Sequence, residues 1–149
     1  MGIQTRISAV LFFCLTLSHA WADPIVAIPD RIPGATTVDA EGVLSLAAKL
    51  QNLVIIDSRI SGDRAHGYIE HSISLPNTET SCKTLAKHIP AKSTPVLFYC
   101  NGVRCGRSVV ATRIAVGCGY REVYWFKGGF EEWLAKKYPF TSTNRASHG

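Results

Sequence analysis

The sequence lacks the features that characterise membrane-spanning, repetitive and multidomain proteins. Its 149 residues allow one domain of ordinary size, roughly 100–200 residues, and exclude a two-domain Rossmann enzyme or a complete (β/α)8 barrel. It has no internal repeats, and its longest apolar run, residues 7–17, is shorter than the about 20 residues that a transmembrane helix needs. Its 16 basic and 11 acidic residues form no blocks of like charge. This pattern argues against nucleic acid as a partner and favours a small anionic ligand.

The sequence also lacks the cysteine spacing of a zinc site. None of its cysteines forms a CxxC pair or lies at ligand spacing from a histidine, so we expect neither a metal nor a cofactor. The five cysteines are Cys14, Cys82, Cys100, Cys105 and Cys118. They are too few and too scattered to hold together a small domain that has no hydrophobic core. Each cysteine therefore has to be interpreted from its own surroundings.

Residues 1–22 have the layout of a secretory signal peptide. One positive charge, Arg6, precedes the apolar run, and Ala20 and Ala22 supply the small residues of a cleavage site before Asp23. We therefore predict an exported protein, periplasmic or secreted, with no membrane segment after cleavage. Thiols in such a compartment tend to become disulfides, so a free reactive cysteine there requires an explanation.

The exported chain is predicted to fold as one α/β domain. Residues 23–36 are rich in proline and predict an extended lead-in, residues 37–138 the domain, and residues 139–149 a C-terminal tail. Short apolar runs alternate with amphipathic helical stripes, as is typical of a parallel sheet that helices cover on both faces. The predicted strands are residues 53–56, 73–75, 96–99 and 123–126.

Cys100 is the candidate nucleophile. It follows the apolar strand 96–99 and precedes a helical segment, and ligands of open parallel sheets bind at that edge. Glycines in the intervening loop allow its backbone N–H groups to turn towards one centre, which suits an anion. Arg104 and Arg107 add positive charge, and these effects together favour a cysteine thiolate. The alternative is that Cys100 is a small apolar residue that ends a strand.

Three segments resemble the signatures of the rhodanese-type sulfurtransferases, particularly the small exported single-domain members. The resemblance runs in the family's order over about residues 37–135, nearly the whole predicted domain. Within it, Tyr68 replaces a usual histidine and His71 a usual glycine. The first segment is Asp57-Ser58-Arg59, then Gly67 to Ile73 and Leu75-Pro76, the second is Tyr99-Cys100-Asn101-Gly102-Val103-Arg104, and the third is Tyr120 and Val123 with Gly128-Gly129-Phe130-Glu131-Glu132-Trp133.

The resemblance implies a fold and a reaction. The fold is the three-layer α/β/α rhodanese-like fold, with a mainly parallel sheet of about five strands. In the reaction, the Cys100 thiolate attacks the outer sulfur of thiosulfate or a similar donor, sulfite leaves, and a persulfide remains until a thiol or cyanide removes its sulfur. The backbone N–H groups of the loop would hold the anionic sulfur. The implied substrate-binding residues are Asn101, Gly102, Val103, Arg104, Cys105 and Arg107, the last of which could equally be a solvated arginine.

Cys105 leaves a second function open. It lies five residues after Cys100 on a bent loop, so the two could form a disulfide and act in thiol–disulfide exchange or redox gating, or Cys105 could contact nothing. A third hypothesis is a sulfur carrier that serves a redox or sulfur-relay protein partner without free turnover. A cysteine phosphatase is disfavoured, because Gly106 lies six residues after Cys100 where those enzymes have arginine.

Two further pairs of residues are expected to be structural. Cys82 and Cys118 are expected to be small buried residues, although a disulfide between them is also open. Asp57 and Arg59 follow a predicted strand at the same sheet edge as Cys100. We interpret them as an ion pair that organises this loop rather than as donor ligands.

Overall fold

The structure is a computed structural model and describes residues 27–143. The predicted signal peptide, residues 23–26 of the lead-in and residues 144–149 of the tail lie outside this part of the chain. The strands are β1 Thr36–Val38, β2 Val54–Asp57, β3 Ile73–Ser74, β4 Val96–Tyr99 and β5 Val123–Phe126. The helices are α1 Ala40–Lys49, α2 Cys82–His88, α3 Arg107–Gly117 and α4 Gly129–Ala135, and a 3-10 helix spans Ser61–Ala65.

The five strands form one sheet in the order β1-β5-β4-β2-β3, and every neighbouring pair is parallel. β4 lies in the middle of this order, and all four of its residues are buried. The strand ends at Tyr99, so Cys100 lies at the carboxyl edge of the sheet, next to its centre. The predicted α/β fold with a parallel sheet is confirmed.

The helices cover the two faces of the sheet in pairs. Buried residues of α1 and α4 form one core with the sheet, and those of α2 and α3 form another. Along β4, Leu97 and Tyr99 pack on the α1 and α4 side, whereas Val96 and Phe98 pack on the α2 and α3 side. Side chains alternate between the two faces along a strand. The side chain of Cys100 therefore lies on the same side as that of Phe98 and points towards α3.

Local capping explains where two of the helices begin. The side chain of Asp39 accepts a hydrogen bond from the Gly42 N–H at 2.8 Å, which satisfies one of the unpaired donors of the first turn of α1. At α2, the side chains of Ser81 and Thr84 each accept from the other's backbone N–H and form a capping box. Both helices therefore begin directly after a residue whose side chain caps them.

Strand β1 was not expected from the sequence. It begins at Thr36, the last residue of the predicted lead-in, and its Thr-Thr-Val sequence contains no apolar run. The strand exists because it pairs with β5, with Thr36 opposite Tyr124 and Val38 opposite Phe126. It lies at the edge of the sheet. An edge strand buries little surface and leaves a correspondingly weak periodic signal.

The predicted tail begins inside the folded unit. Phe140 packs edge-on against Phe130 of α4, with ring centroids 5.7 Å apart, and Thr141 forms an antiparallel bridge with Tyr68. Residues 139–141 therefore belong to the domain, whose last packed residues come slightly later than the predicted end at residue 138.

A disulfide joins Cys82, at the start of α2, to Cys118, which caps the end of α3. The two Cα atoms are 5.4 Å apart, a typical separation for a disulfide. Cys82 is exposed and Cys118 half-buried, so the expectation of two small buried residues is wrong. The disulfide fastens the two helices that cover one face of the sheet.

Removing this disulfide should destabilise the domain. The double variant Cys82→Ala/Cys118→Ala is expected to lose about 2–5 kcal/mol of unfolding free energy, because the bond closes a long loop in the unfolded chain. The cysteines are 36 residues apart in sequence. Urea unfolding of the variant and of the wild type measures the loss. Equal midpoints would contradict the prediction.

Candidate active site

The loop after β4, residues 101–106, is held in place by the start of α4. The N–H groups of Phe130 and Glu131 donate to the carbonyl oxygens of Cys100 and Asn101 at 2.8 and 2.7 Å. Gly129 makes this approach possible, since a side chain there would collide with the carbonyl of Cys100 and the backbone φ is +58°. The glycine of the third signature therefore fixes the backbone that carries the cysteine.

The carbonyl oxygens of Cys100, Asn101 and Gly102 accept hydrogen bonds from the backbone, while several N–H groups of the loop have no such partner. The Cys105 N–H donates to the Gly102 carbonyl at 2.9 Å, so one of the donors predicted for the anionic sulfur is already engaged. Within residues 27–143, no acceptor pairs with the backbone N–H groups of Asn101, Gly102, Val103 and Arg104. Available N–H groups of this kind can bind an anion.

The Cys100 side chain is buried, with 1% of the residue exposed, and its sulfur has a polar neighbour. The Ser108 hydroxyl lies 3.2 Å from the Cys100 Sγ and donates to it. Trp125 Nε1 lies 3.0 Å from the same hydroxyl oxygen. Because an indole N–H can only donate, the Ser108 oxygen accepts from Trp125 and its own hydrogen points to the sulfur. This arrangement stabilises a thiolate more than a thiol.

Ser108→Ala should therefore slow the attack of reduced Cys100 on a sulfur donor, the reaction that the family resemblance implies. A hydrogen bond to a charged group contributes about 1.5–3 kcal/mol, so we expect a rate roughly tenfold to a hundredfold lower and a pH–rate profile displaced to higher pH. Stopped-flow sulfite release across pH measures both. Ser108→Thr, which keeps the hydroxyl, should recover most of the rate. Identical profiles for Ser108→Ala and wild type would refute this role.

The sulfurs of Cys100 and Cys105 are paired as a disulfide in the structure. Their Cα atoms are 6.3 Å apart, within the about 4.4–6.8 Å that a disulfide spans. The Cys105 carbonyl also lies 3.1 Å from the Cys100 Sγ. Of the two open expectations for Cys105, contact with Cys100 is therefore the one that is realised.

A cavity of about 550 Å³ opens over the loop. We call it the loop cavity. Cys105 lines it, whereas Cys100, which is paired with Cys105, is buried and does not. Val103, which was expected to bind substrate, is 52% exposed and lies outside the lining. The lining residues are Asn77, Asn101, Gly102, Arg104, Cys105, Gly106, Arg107, Val110 and Glu131.

The charges of the loop cavity suit a small anion. Arg104 and Arg107 both line it, so Arg107 lies beside the cavity rather than in bulk solvent. Glu131 contributes one opposing charge, and its carboxylate lies directly over Gly102, where any side chain would collide with it. Asn77 and Glu131 were not expected at the site. Glu131 lies within the third signature, but only the packing of α4 brings it to the loop.

A buried ionic network supports β4, the strand that precedes Cys100. Arg59 contacts both carboxylate oxygens of Asp57, at 2.9 and 2.7 Å, and Arg64 contacts Oδ2 at 3.1 Å. The Tyr99 hydroxyl donates to the same oxygen at 2.8 Å. Burial and then the charge of Asp57 raise the Tyr99 pKa, so the hydroxyl keeps its proton. The predicted structural ion pair between Asp57 and Arg59 is confirmed.

The two unusual positions of the first signature, Tyr68 and His71, fit the fold in different ways. The Arg64 guanidinium lies over the ring of Tyr68, 3.6 Å from its centroid, which makes a cation–π contact. His71 has a φ of +61°, in the left-handed region that favours glycine. The backbone thus keeps the conformation that glycine would adopt, although the residue is histidine.

The described residues contain no group of three His, Cys, Asp or Glu side chains that could hold a metal ion. Among residues 27–143, no helix is long and apolar enough to cross a membrane.

The sequence matches the family model of the rhodanese-like domain over residues 39–136. The chain belongs to the rhodanese-like domain family. This confirms the family resemblance of the three signatures and covers most of the predicted domain. Among functionally curated sequences, none matches this chain closely enough to count as a relative.

Several solved structures share the fold. The BH2092 protein of Bacillus halodurans matches with a TM-score of 0.65 and 22% identity, over 77% of this chain and 82% of that one. The polysulfide-sulfur transferase homodimer of Wolinella succinogenes has a TM-score of 0.61 and 19% identity, over 77% and 84%. An Escherichia coli rhodanese solved with anions has a TM-score of 0.51 and 26% identity, over 60% and 98%. This rhodanese-like domain thus has sulfurtransferases among its structural neighbours.

Proposed function

We propose that the protein is a sulfurtransferase that carries sulfane sulfur as a persulfide on Cys100. The observation that carries the proposal is the environment of the Cys100 sulfur. The Ser108 hydroxyl donates to it, the adjoining loop has available N–H groups, and two arginines line the cavity beyond it. These groups favour a thiolate nucleophile and an anionic donor.

The proposed donor is thiosulfate or a similar anion, and the reaction has two steps. In the first, the Cys100 thiolate attacks the outer sulfur, the S–S bond of the donor breaks, and sulfite leaves with the bonding electron pair. In the second, cyanide or a thiol attacks the outer sulfur of the persulfide and releases the Cys100 thiolate. Arg104 and Arg107 hold the donor anion. We place this reaction outside the cytosol, as the predicted signal peptide implies.

The proposal is tested by loading the reduced protein with sulfur. Protein is reduced, freed of reductant and mixed with thiosulfate, and sulfite is counted against protein. Wild type and Cys105→Ser should each release one sulfite per chain. Cys105→Ser, in which no second loop thiol competes, should gain the mass of one sulfur atom and lose it as thiocyanate when cyanide is added. Protein alkylated before mixing is the control.

Two outcomes of this experiment would change the proposal. If fully reduced protein releases no sulfite and gains no mass, the sulfurtransferase proposal is wrong. If sulfur is loaded but neither cyanide nor thiols discharge it, the protein is a carrier that delivers sulfur only to a specific protein partner.

The Cys100–Cys105 pair favours redox gating as a second candidate function. In the paired state the Cys100 sulfur is joined to that of Cys105, and Cys105 is the member of the pair that lines the loop cavity. A sulfur donor cannot then react until the pair is reduced. Alkylation of protein purified without reductant tests this, since gating requires that Cys100 and Cys105 resist labelling until a reductant is added. Free labelling of both under oxidising conditions would exclude it.

A further inference from the structure

Cys105 is the nearest nucleophile to the Cys100 sulfur. The two sulfurs are paired, Cys105 faces the loop cavity, and Cys100 is 1% exposed. An external acceptor must therefore reach a persulfide on Cys100 past Cys105. The proposed sulfurtransferase reaction does not require a second cysteine at this place.

We propose that Cys105 is a resolving thiol that converts the Cys100 persulfide into free sulfide. This inference rests on the proposed function, because it begins from the same persulfide. This conversion leaves Cys100 joined to Cys105, which is the pair that the structure contains. The protein would then act as a sulfane-sulfur reductase that releases hydrosulfide, in addition to passing sulfur to an acceptor.

The step balances without an external oxidant. The Cys105 thiolate attacks the inner sulfur of the persulfide, which is the Sγ of Cys100. A new S–S bond forms between the two cysteines, the persulfide S–S bond breaks, and its electron pair leaves with the outer sulfur as hydrosulfide. The sulfane sulfur is reduced, and the two cysteine thiols are oxidised to a disulfide. A thiol or dithiol reductant then restores both thiols for the next cycle.

Intramolecular attack has a large kinetic advantage over an external thiol. Well-oriented groups in one molecule react as if present at about 10⁵ M or more, whereas an external thiol must diffuse to a buried sulfur. The loop that carries Cys105 can place its sulfur on that of Cys100 while β4 and α3 hold the two ends of the loop. Arg104 and Arg107 line the cavity and favour the departing anion.

The experiment is a single turnover without added thiol. Reduced wild-type protein, freed of reductant, receives thiosulfate, and sulfite, sulfide and remaining thiols are measured. We expect one sulfite and one sulfide per chain, loss of two thiols, and a Cys100–Cys105 disulfide in the peptide map. Cys105→Ser should release no sulfide and should keep one added sulfur atom for each sulfite that it releases. Cys82→Ala/Cys118→Ala, which lacks only the other disulfide, should still release sulfide.

The outcomes separate this inference from the proposed function. Sulfite without sulfide, with a lasting persulfide on the wild type, overturns the resolving role and leaves the sulfurtransferase intact. Equal sulfide from Cys105→Ser and wild type also overturns it, because the sulfide would then have another source. If neither protein releases sulfite, both the sulfurtransferase proposal and the resolving role of Cys105 are wrong.

Discussion

Serine in place of Cys100 is expected to reduce sulfite release from thiosulfate to the uncatalysed background. The substitution retains the size and the position of the side chain but exchanges a thiol for a hydroxyl. A hydroxyl stays protonated at neutral pH and is a weak nucleophile unless a base activates it. The polar side chain beside the Cys100 sulfur is the Ser108 hydroxyl, which donates rather than accepts. No group in this contact could therefore activate a serine.

The measurement is sulfite released in a single turnover, together with the intact mass of the protein. Cys100→Ser should gain no sulfur even after complete reduction. Cys105→Ser is the matched control, since it makes the same change of atom five residues away and should still load sulfur. Sulfur bound to Cys100→Ser in an amount equal to that on the control would show that another residue is the nucleophile.

Asp57→Asn is expected to destabilise the domain by about 3–5 kcal/mol, the cost of breaking a buried ion pair by removing one partner. The variant keeps the volume of the side chain and an oxygen that can accept from Tyr99. It removes the charge that faces Arg59, of which only 3% is exposed. Burial acts to lower the Arg59 pKa, but the hydrogen bond and the charge of Asp57 outweigh it and raise that pKa. In Asp57→Asn, the Arg59 guanidinium is a buried charge that has lost the carboxylate of Asp57.

Urea unfolding of Asp57→Asn beside wild type measures this loss. Asp30→Asn is the control, because Asp30 also pairs with a cation, Lys127 at 2.9 Å, but is 99% exposed. Exposed ion pairs contribute little to stability, so Asp30→Asn should unfold with the wild type. Equal stability of Asp57→Asn and Asp30→Asn would mean that the network is not an essential support of β4, the strand that precedes Cys100.

The sequence reveals the architecture where burial is strong. Runs such as 96–99 are apolar throughout because a central parallel strand is covered on both faces, and β4 is buried along its whole length. The glycines and arginines that follow Cys100 are close to it in the sequence, so the sequence alone could point to a candidate nucleophile beside an anion-binding loop. β1 escaped prediction because its Thr-Thr-Val segment is an edge strand with little buried surface.

The contacts that define the chemistry of Cys100 could not be predicted in this way. In the sequence, Ser108 is an ordinary residue at the start of a helical segment. Only the folded structure brings Trp125, 17 residues later, within hydrogen-bond distance of its hydroxyl. Glu131 reaches the loop only because Gly129 allows α4 to touch it. Spacing alone left open whether Cys105 contacts Cys100 and whether Cys82 pairs with Cys118.

By itself, therefore, the sequence determined the order along the chain of the four helices and of strands β2 to β5, the family signatures and the position of Cys100 at the end of a buried strand. Hydrophobic periodicity and turn residues record these features because each depends on the burial of its own segment. The tertiary structure decided which side chains meet the Cys100 sulfur and which cysteines pair. Those contacts join segments that are separated along the chain, and only the packing of helices onto the sheet brings them within bonding distance.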